Sequence, residues 1–474
     1  GCFYPPRDYE AWGKLVTEWA KHVQGRYPGA EANWQWELWN EPDIGYWHGT
    51  FEEYARLYDY TEAALHGVFP NASLGGPAVA RPEGSFLPQF LEHCAAGTNA
   101  VTGQTGTRLD MVSFHAKGGV IVTDGHLQMD LGNQLRLHRA GFEAVATSAA
   151  FSRTPIVISE ADPDGCAACP VSTAPQHAYR NSPAYGAYEV AMMKHSIELA
   201  AELGVNLRGV LTWAFTFPGS PYFAGYRALA TNGIRLPVLN AFELLGRLRG
   251  ARLPVTSSGA RPLSEILASG VRQQPDIDAL ATSDGDQIRI LVWNYHDDLV
   301  NAPSARVTLH VKIPRAFTEN RASRSVSVTH TRVDETHGNA FTVWLAQGSP
   351  EAPSAQDIAA LQAAMLPVVL SRQPVVPAAD GSLRLSLELP RFGLSLFEIA
   401  PLDESNDRAG SSSQSGCSLP STPSGRDALP ASLALALGGT VLSRRRRAER
   451  ARRVSSNARQ RQGLQLPCDR RSSR

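Results

Sequence analysis

The sequence predicts an α/β fold built on a parallel sheet and followed by an antiparallel β-sandwich. Three observations carry this reading. Through roughly the first 250 of 474 residues, short apolar runs alternate with amphipathic stretches of helical spacing, the pattern of βαβ units. Polar and ionisable residues collect where those runs end. Beyond that point the periodicity of the apolar residues changes to two.

Each element follows from local chemistry. From Asp8 to Tyr27 the apolar positions Trp12, Leu15, Val16, Trp19 and Val23 recur at helical spacing. Trp34–Asn40 is a short aromatic-rich run that suits a buried strand. Thr50 and Glu53 make a capping box for a helix reaching about Val68. A strand at Ala72–Gly76 runs into Gly75-Gly76-Pro77, followed by a helix over Phe86–Ala95 and a strand over Leu109–His115. A helix at Leu131–Ser148 precedes the apolar strand Pro155–Glu160. After a loop rich in Pro, Gly and Cys, a helix at Ala184–Leu203 leads to a strand at Arg208–Phe217, and a last helix covers Val238–Leu248. The strands end in Asn40 and Glu41, His115, Glu160, Trp213 and Thr216. In a (β/α)8 barrel that edge is the catalytic face. In an open doubly wound sheet it is a ligand crevice, but no glycine fingerprint or phosphate loop supports that option.

The sandwich rests on Ile288–Asn294, Ala305–Ile313, Ser325–Val333 and Ser382–Leu389, with a short helix at Ser354–Met365 interrupting them. The expected division is therefore 1–250 for the parallel part and 251–402 for the sandwich. A Ser/Gly/Pro-rich linker follows over 403–427, then an apolar segment and Arg-rich tail over 428–474. The net charge of zero is an average: the first 442 residues carry −10 and the remainder +10. Composition excludes disordered, collagen-like and disulfide-dense classes. Lysine is scarce at five residues against 40 Arg. Six cysteines are too few and scattered for a disulfide framework. Of these, Cys166 and Cys169 lie close together in the loop after Glu160, where a loop-stapling disulfide of an exported protein is expected rather than a redox motif. A second such pair, needed for a zinc site, is missing. No cofactor or metal is expected.

The strongest chemical signal is Trp36-Glu37-Leu38-Trp39-Asn40-Glu41-Pro42-Asp43. A carboxylate just past a strand, preceded by an amide that can hold a sugar 2-hydroxyl, is an acid/base arrangement of retaining glycoside hydrolysis. The second is Val157-Ile158-Ser159-Glu160-Ala161-Asp162, another carboxylate at the end of an apolar strand. Across a sheet edge two such groups can approach to the roughly 5–5.5 Å that retention needs.

With these motifs the sequence resembles glycoside hydrolase family 39, which holds β-xylosidases and α-L-iduronidases. The resemblance covers about residues 3–400. It includes the Trp36–Asp43 stretch, Leu74-Gly75-Gly76-Pro77, Val112-Ser113-Phe114-His115, the Glu160 strand, Thr212-Trp213 and Asn232-Gly233-Ile234. Within the sandwich it includes Arg332–Phe341 and Gly348-Ser349-Pro350. It implies Glu41 as acid/base, Glu160 as nucleophile, and a (β/α)8 barrel with an attached β-sandwich. It also implies that the five strands are the fourth to eighth, so that strands one to three are lacking and the chain is an N-terminally truncated barrel.

Residues expected to bind substrate are Asn40, His115, Lys117, Trp213 and Arg227. His115-Ala116-Lys117-Gly118 and Glu160-Ala161-Asp162-Pro163 resemble the iduronidase side, where Lys117 would meet a uronate carboxylate as a compact charge. Thr231-Asn232-Gly233-Ile234 leans to the xylosidases. The expected function is a retaining hydrolase of O-glycosidic bonds acting on a glycoside or oligosaccharide. The alternative is a non-catalytic carbohydrate-binding remnant. The tail resembles bacterial surface-sorting segments: Gly416-Cys417, the apolar run Ala431–Leu442 and Arg444–Arg447. Membrane or surface attachment of an exported bacterial protein is one reading of it, and untranslated or misassigned sequence is another. No aromatic residue interleaves the arginines, so no nucleic-acid partner is expected.

Overall fold

The computed structural model describes residues 3–29, 33–319 and 324–402. The linker, the apolar segment and the Arg-rich tail expected beyond residue 402 lie outside the described residues. The fold is mixed α/β, with a parallel sheet and separate antiparallel sheets.

The parallel sheet has five strands among the described residues, in chain order: β1 (Gln35–Glu37), β2 (Ser73–Val79), β3 (Met111–Lys117), β4 (Pro155–Asp162) and β5 (Asn206–Val210). Helix α1 (Tyr9–Arg26) precedes it. The crossovers between successive strands are α2 (Phe51–His66), α3 (Phe86–Ala96), α4 (Leu131–Thr147) and α5 (Pro183–Leu203), and α6 (Pro237–Arg247) follows β5. Their ends are chemically set. Asp8 caps α1, the Thr50/Glu53 box caps α2, Asp130 caps α4, and Ser182 with Pro183 opens α5. Gly204 ends α5 at φ 67°, a left-handed turn suited to a residue without Cβ. Among the described residues, no strand pairs with the outer edge of β1 or of β5.

The expected strand over Arg208–Phe217 ends at Val210. Beyond it the Trp213 N–H donates to Asp162 Oδ1 and the Phe215 N–H to Arg227 O rather than continuing the ladder, and the Thr212 hydroxyl bonds the same Asp162 oxygen. The strand expected over Trp34–Asn40 likewise shortens to β1, because Trp39 and Glu41 take positive φ (70° and 49°). Three parallel pairings carry a register shift, including one between Phe114 and His115 against β4.

The antiparallel part has a six-stranded sheet and a two-stranded sheet. In chain order the strands are β6 (Ala251–Leu253), β7 (Asp276–Ser283), β8 (Ile288–Tyr295), β9 (Ala305–Lys312), β10 (Val326–Val333), β11 (Val368–Val375), β12 (Ser382–Leu389) and β13 (Leu394–Pro401). The larger sheet runs β6-β7-β8-β13-β10-β11, and β9 pairs with β12. Ile288, Ile290 and Val292 of β8 pack on Leu383, Leu385 and Leu387 of β12 in one core. Leu291, Trp293 and Tyr295, on the opposite face, join the core of the parallel part. With both faces covered, β8 is buried along its whole length. Four of these strands escaped the sequence pattern: β6, only three residues long; β7, broken by Asp276 and Asp278; β13, buried on both sides; and β11, an edge strand carrying Pro374.

The described residues all fall within one compact unit, Gly1–Arg408. The change of pattern near residue 250 marks a change of architecture rather than a break in packing. Helix α5 is buried almost all round, between parallel sheet and antiparallel sheet. Its polar contact with the second sheet is ionic. His195 Nε2 lies 3.1 Å from Asp276 Oδ2, which also accepts from Trp293 Nε1 (3.0 Å), and Lys194 Nζ lies 2.5 Å from Asp278. Burial disfavours the charged ring of His195, but the hydrogen bonds to Asp276 and Glu198 outweigh it and raise the pKa above its ordinary 6.5.

Removing one partner of a buried pair leaves the other uncompensated. Asp276→Asn is therefore expected to cost about 3 kcal/mol in chemical denaturation. Because the folded-state pKa of His195 is raised, its contribution is complete below pH 6.5 and is lost as pH climbs through the folded value. His195→Gln should flatten that fall when stability is measured from pH 6 to 9.

Candidate active site

The C-terminal edge of the parallel sheet gathers the functional side chains. Glu41 lies in the turn after β1, in a left-handed conformation that costs a non-glycine residue about 1–3 kcal/mol. The turn is held by its partners. Glu41 N–H donates to Ala78 O (2.9 Å), and both oxygens of Asp43 accept backbone N–H groups, from Ala80 and Arg81 (2.8 and 2.9 Å). Asn40 is exposed at this rim.

The register shift between β3 and β4 decides what faces what. Phe114 is opposite Ile158, but His115 is opposite Glu160 and Lys117 opposite Asp162, so Ser159 is the extra residue of a bulge. His115 and Lys117, two apart on β3, thereby meet Glu160 and Asp162, two apart on β4. His115 is buried, and its Nδ1 lies 2.9 Å from Glu41 Oε1 and 3.6 Å from Glu160 Oε2. Lys117 Nζ lies 2.7 Å from Glu160 Oε2 and 2.5 Å from Asp162 Oδ2. One carboxylate oxygen from each of Glu41 and Glu160 and a ring nitrogen of His115 fall within 4.8 Å of one another. Three such atoms can hold a cation, although the Lys117 ammonium already places a fixed positive charge on the same Glu160 oxygen.

Behind this row lies a buried ionic network. Asp162 is fully buried, and its two oxygens are saturated. Oδ2 receives Lys117 and Arg227 (2.9 Å), while Oδ1 receives the Thr212 hydroxyl (2.7 Å) and the Trp213 N–H (3.1 Å). Burial opposes its charge, but Lys117 and Arg227 win, and the pKa falls below the ordinary value. Arg227 is also fully buried and spends its other nitrogen on Asp164 (2.9 Å). It thus braces two carboxylates from behind the edge, where it was expected to bind substrate; burial and two anionic partners leave it no face toward the cleft. Asp164 further receives Arg180 (2.6 Å) and the Tyr179 hydroxyl. Against the effect of burial, Arg227 and Arg180 hold its pKa down at about 2. Trp213 is half-buried, its ring 6.0 Å from Lys117 Nζ and edge-on to Phe215 at 4.6 Å.

The site as expected from sequence is brought together in Glu41, Glu160, His115, Lys117 and Trp213. The residues missed are Asp162, quoted within a motif but assigned no role, and Asp164, Arg180 and Glu189. The signal for Asp164 was its spacing from Glu160 and Asp162 at every second residue. Glu189 on α5 had none, since it looks like any helix-surface glutamate. It is buried with no hydrogen-bond partner for Oε1, and burial, reinforced by the charge of Asp162, pushes its pKa well above the ordinary 4.5.

Comparison with known proteins now bears on this geometry. The model of glycosyl hydrolases family 39 matches residues 1–383. The chain belongs to glycosyl hydrolases family 39. It is 28% identical over 359 residues to a β-xylosidase of Caldicellulosiruptor saccharolyticus, covering 74% of this chain and 65% of the relative. It is 29% identical over 429 residues to the α-L-iduronidase of Canis lupus familiaris, covering 85% of this chain and 62% of that enzyme. The chain thus spans less than two thirds of the length of either relative. The fold is similar to that of a monomeric β-xylosidase from Caulobacter crescentus, with a TM-score of 0.64 at 22% identity over 85% of this chain and 77% of that one. Family 39 accounts for the parallel sheet with an appended β-structure, and its glycosidase members direct attention to the paired carboxyls.

An ionised Glu189 would be an unpaired buried charge, so this member of family 39 should keep it as the neutral acid. Its raised pKa means that stability falls as pH rises above about 4.5, since the unfolded chain releases a proton that the folded chain retains. Glu189→Gln is expected to gain stability relative to the native protein as pH goes from 5 to 8. Paired urea melts at those two pH values check it, and a constant difference between the proteins would overturn it.

Proposed function

We propose that this protein is a retaining glycosidase of the β-xylosidase or α-L-iduronidase type. The observation that carries the reading is the approach of Glu41 and Glu160 to within 4.8 Å across a strand edge, with His115 between them. That spacing leaves no room for the water an inverting enzyme places between its carboxyls at about 6.5–9.5 Å. On this reading the parallel sheet is an arc of a (β/α)8 barrel, with the reacting groups on its C-terminal edge.

The asymmetry of the site supports a division of roles. Lys117 places its ammonium on Glu160 and not on Glu41, so Glu160 is the group suited to be anionic and to attack the anomeric carbon. Glu41 gives its proton to the leaving oxygen. After a glycosyl–Glu160 ester forms, Glu41 takes a proton from the water that attacks the same carbon, and the ester opens. His115 fixes the spacing of the two carboxyls, and Trp213 offers an aromatic face to the sugar. Asn40, one residue before Glu41, is placed to meet the 2-hydroxyl. Lys117 has a third N–H for a substrate carboxylate, which supports a uronide, while the 28% identical β-xylosidase supports a pentoside. The Cys166–Cys169 disulfide supports an exported protein.

Glu160→Gln should lower kcat by at least about a thousandfold on every glycoside turned over. Glu41→Gln should retain far more activity on aryl glycosides with good leaving groups than on those with poor ones, since only the latter need the proton. Steady-state rates on aryl β-xylosides and aryl α-L-iduronides measure both, and the preferred series identifies the glycone. Wild-type rates in both variants would sink the mechanism. Sugar binding by calorimetry without any turnover in the native protein would point instead to a carbohydrate-binding remnant.

A further inference from the structure

The loop after Glu160 carries a feature that hydrolysis by two carboxyls does not require. Cys166 and Cys169 are joined by a disulfide, closing a four-residue turn. The backbone of the turn is built into the ionic network, with Ala167 buried and Ala168 exposed at its tip. Both of its cysteine carbonyls accept from the buried guanidinium of Arg180 (Cys169 O at 3.3 Å, and Cys166 O). The same guanidinium donates to Asp164 (2.6 Å) and Gly225 O (3.0 Å). Asp164 also caps the turn, accepting from Cys166 N–H at 2.9 Å. His177 Nδ1 donates to Cys169 O at 2.9 Å, since a carbonyl can only accept. Within the turn, Ala167 O accepts the backbone N–H of Arg227 at 3.0 Å.

We propose that the disulfide-closed turn Cys166–Cys169 is a positioning element for the Glu160 carboxylate, acting through Arg180, Asp164, Arg227, Asp162 and Lys117. The turn presents three carbonyls at fixed spacing. Two seat Arg180 on Asp164, and the third seats the backbone of Arg227. Arg227 then bridges Asp164 to Asp162, Asp162 holds Lys117, and Lys117 holds Glu160. Arg180, Asp164, Arg227 and Asp162 are all buried, so a guanidinium that loses its carbonyl seat has no water to fall back on and must shift. The rigidity of the turn therefore appears at Lys117 as a narrower range of positions against Glu160. Opening the disulfide takes two electrons and two protons. A dithiol such as dithiothreitol supplies them, leaving as its cyclic disulfide while Cys166 and Cys169 become thiols.

The inference rests on the hydrolase reading, and its test separates the two. In the full chain, kcat, KM and melting temperature are measured on an aryl glycoside for the native protein, the Cys166→Ser/Cys169→Ser variant, Lys117→Met, and the triple variant. The expected result is a loss of about tenfold in kcat for the double-serine variant with KM within about twofold, and a loss below about threefold when the same change is made on Lys117→Met. Equal losses in both backgrounds, or a lower melting temperature with kcat unchanged, would overturn the proposal. If the double-serine variant does not fold, native protein and Lys117→Met reduced with dithiothreitol give the same comparison. If the oxidised native protein turns over no glycoside, the hydrolase reading fails by itself. The coupling is then read from amide hydrogen exchange: reduction should speed exchange at both Arg227 N–H, bonded to Ala167, and Trp213 N–H, bonded to Asp162. Faster exchange at Arg227 alone would show that the turn does not reach the edge.

Discussion

The carboxylate of Asp162, fully buried, receives Lys117 and Arg227 on one oxygen and Thr212 with the Trp213 N–H on the other. A buried charge is tolerable only when such partners are complete, and completing them organises the surroundings. It draws the backbone N–H of Trp213 away from the sheet just past the end of β5. It ties the segment carrying Arg227 to the back of the sheet. It sets the ammonium of Lys117 beside Glu160. Glu160 is more exposed, and its position follows from this neutralisation behind it through Lys117.

The second constraint is the bulge at Ser159. A regular parallel register from Phe114 and Ile158 would place Ser159 beside His115 and Glu160 beside Ala116. The inserted residue turns Glu160 and Asp162 onto the face that His115 and Lys117 occupy. Bulges cost ladder hydrogen bonds and re-aim side chains, and here the re-aimed pair is the one carrying charge. The strained turn at Glu41 serves the same end from β1, fixed by Ala78 O and by the two N–H groups on Asp43.

Much of the fold was legible in the amino-acid sequence. The helix ends at Thr50, Asp130 and Ser182 announce themselves by short-range chemistry, and the apolar runs around residues 73, 111 and 155 mark strands. What was missed has physical causes. β7 hides behind Asp276 and Asp278, whose partners on α5 lie some 80 residues away in the chain. β13 is buried on both faces and loses its alternation, while β11 is an edge strand that tolerates polar residues and a proline. The expected strand over residues 208–217 failed because its later N–H groups found partners off the sheet, Trp213 on the Asp162 carboxylate and Phe215 on Arg227 O.

At the site, residue types and spacing alone determined that Glu41 and Glu160 lie near the C-terminal ends of parallel strands, that His115 and Lys117 share a face, and that Cys166 and Cys169 are near enough to join. These are consequences of covalent distance and of the two-residue period of a strand. The tertiary structure decided the rest. The bulge chose which face Glu160 presents, Arg227 was drawn inward by two carboxylates, and Glu189 was buried without a partner. Each of these outcomes depends on the balance between desolvation and pairing, and that balance is set by groups far apart in sequence, so it does not exist until the chain has folded.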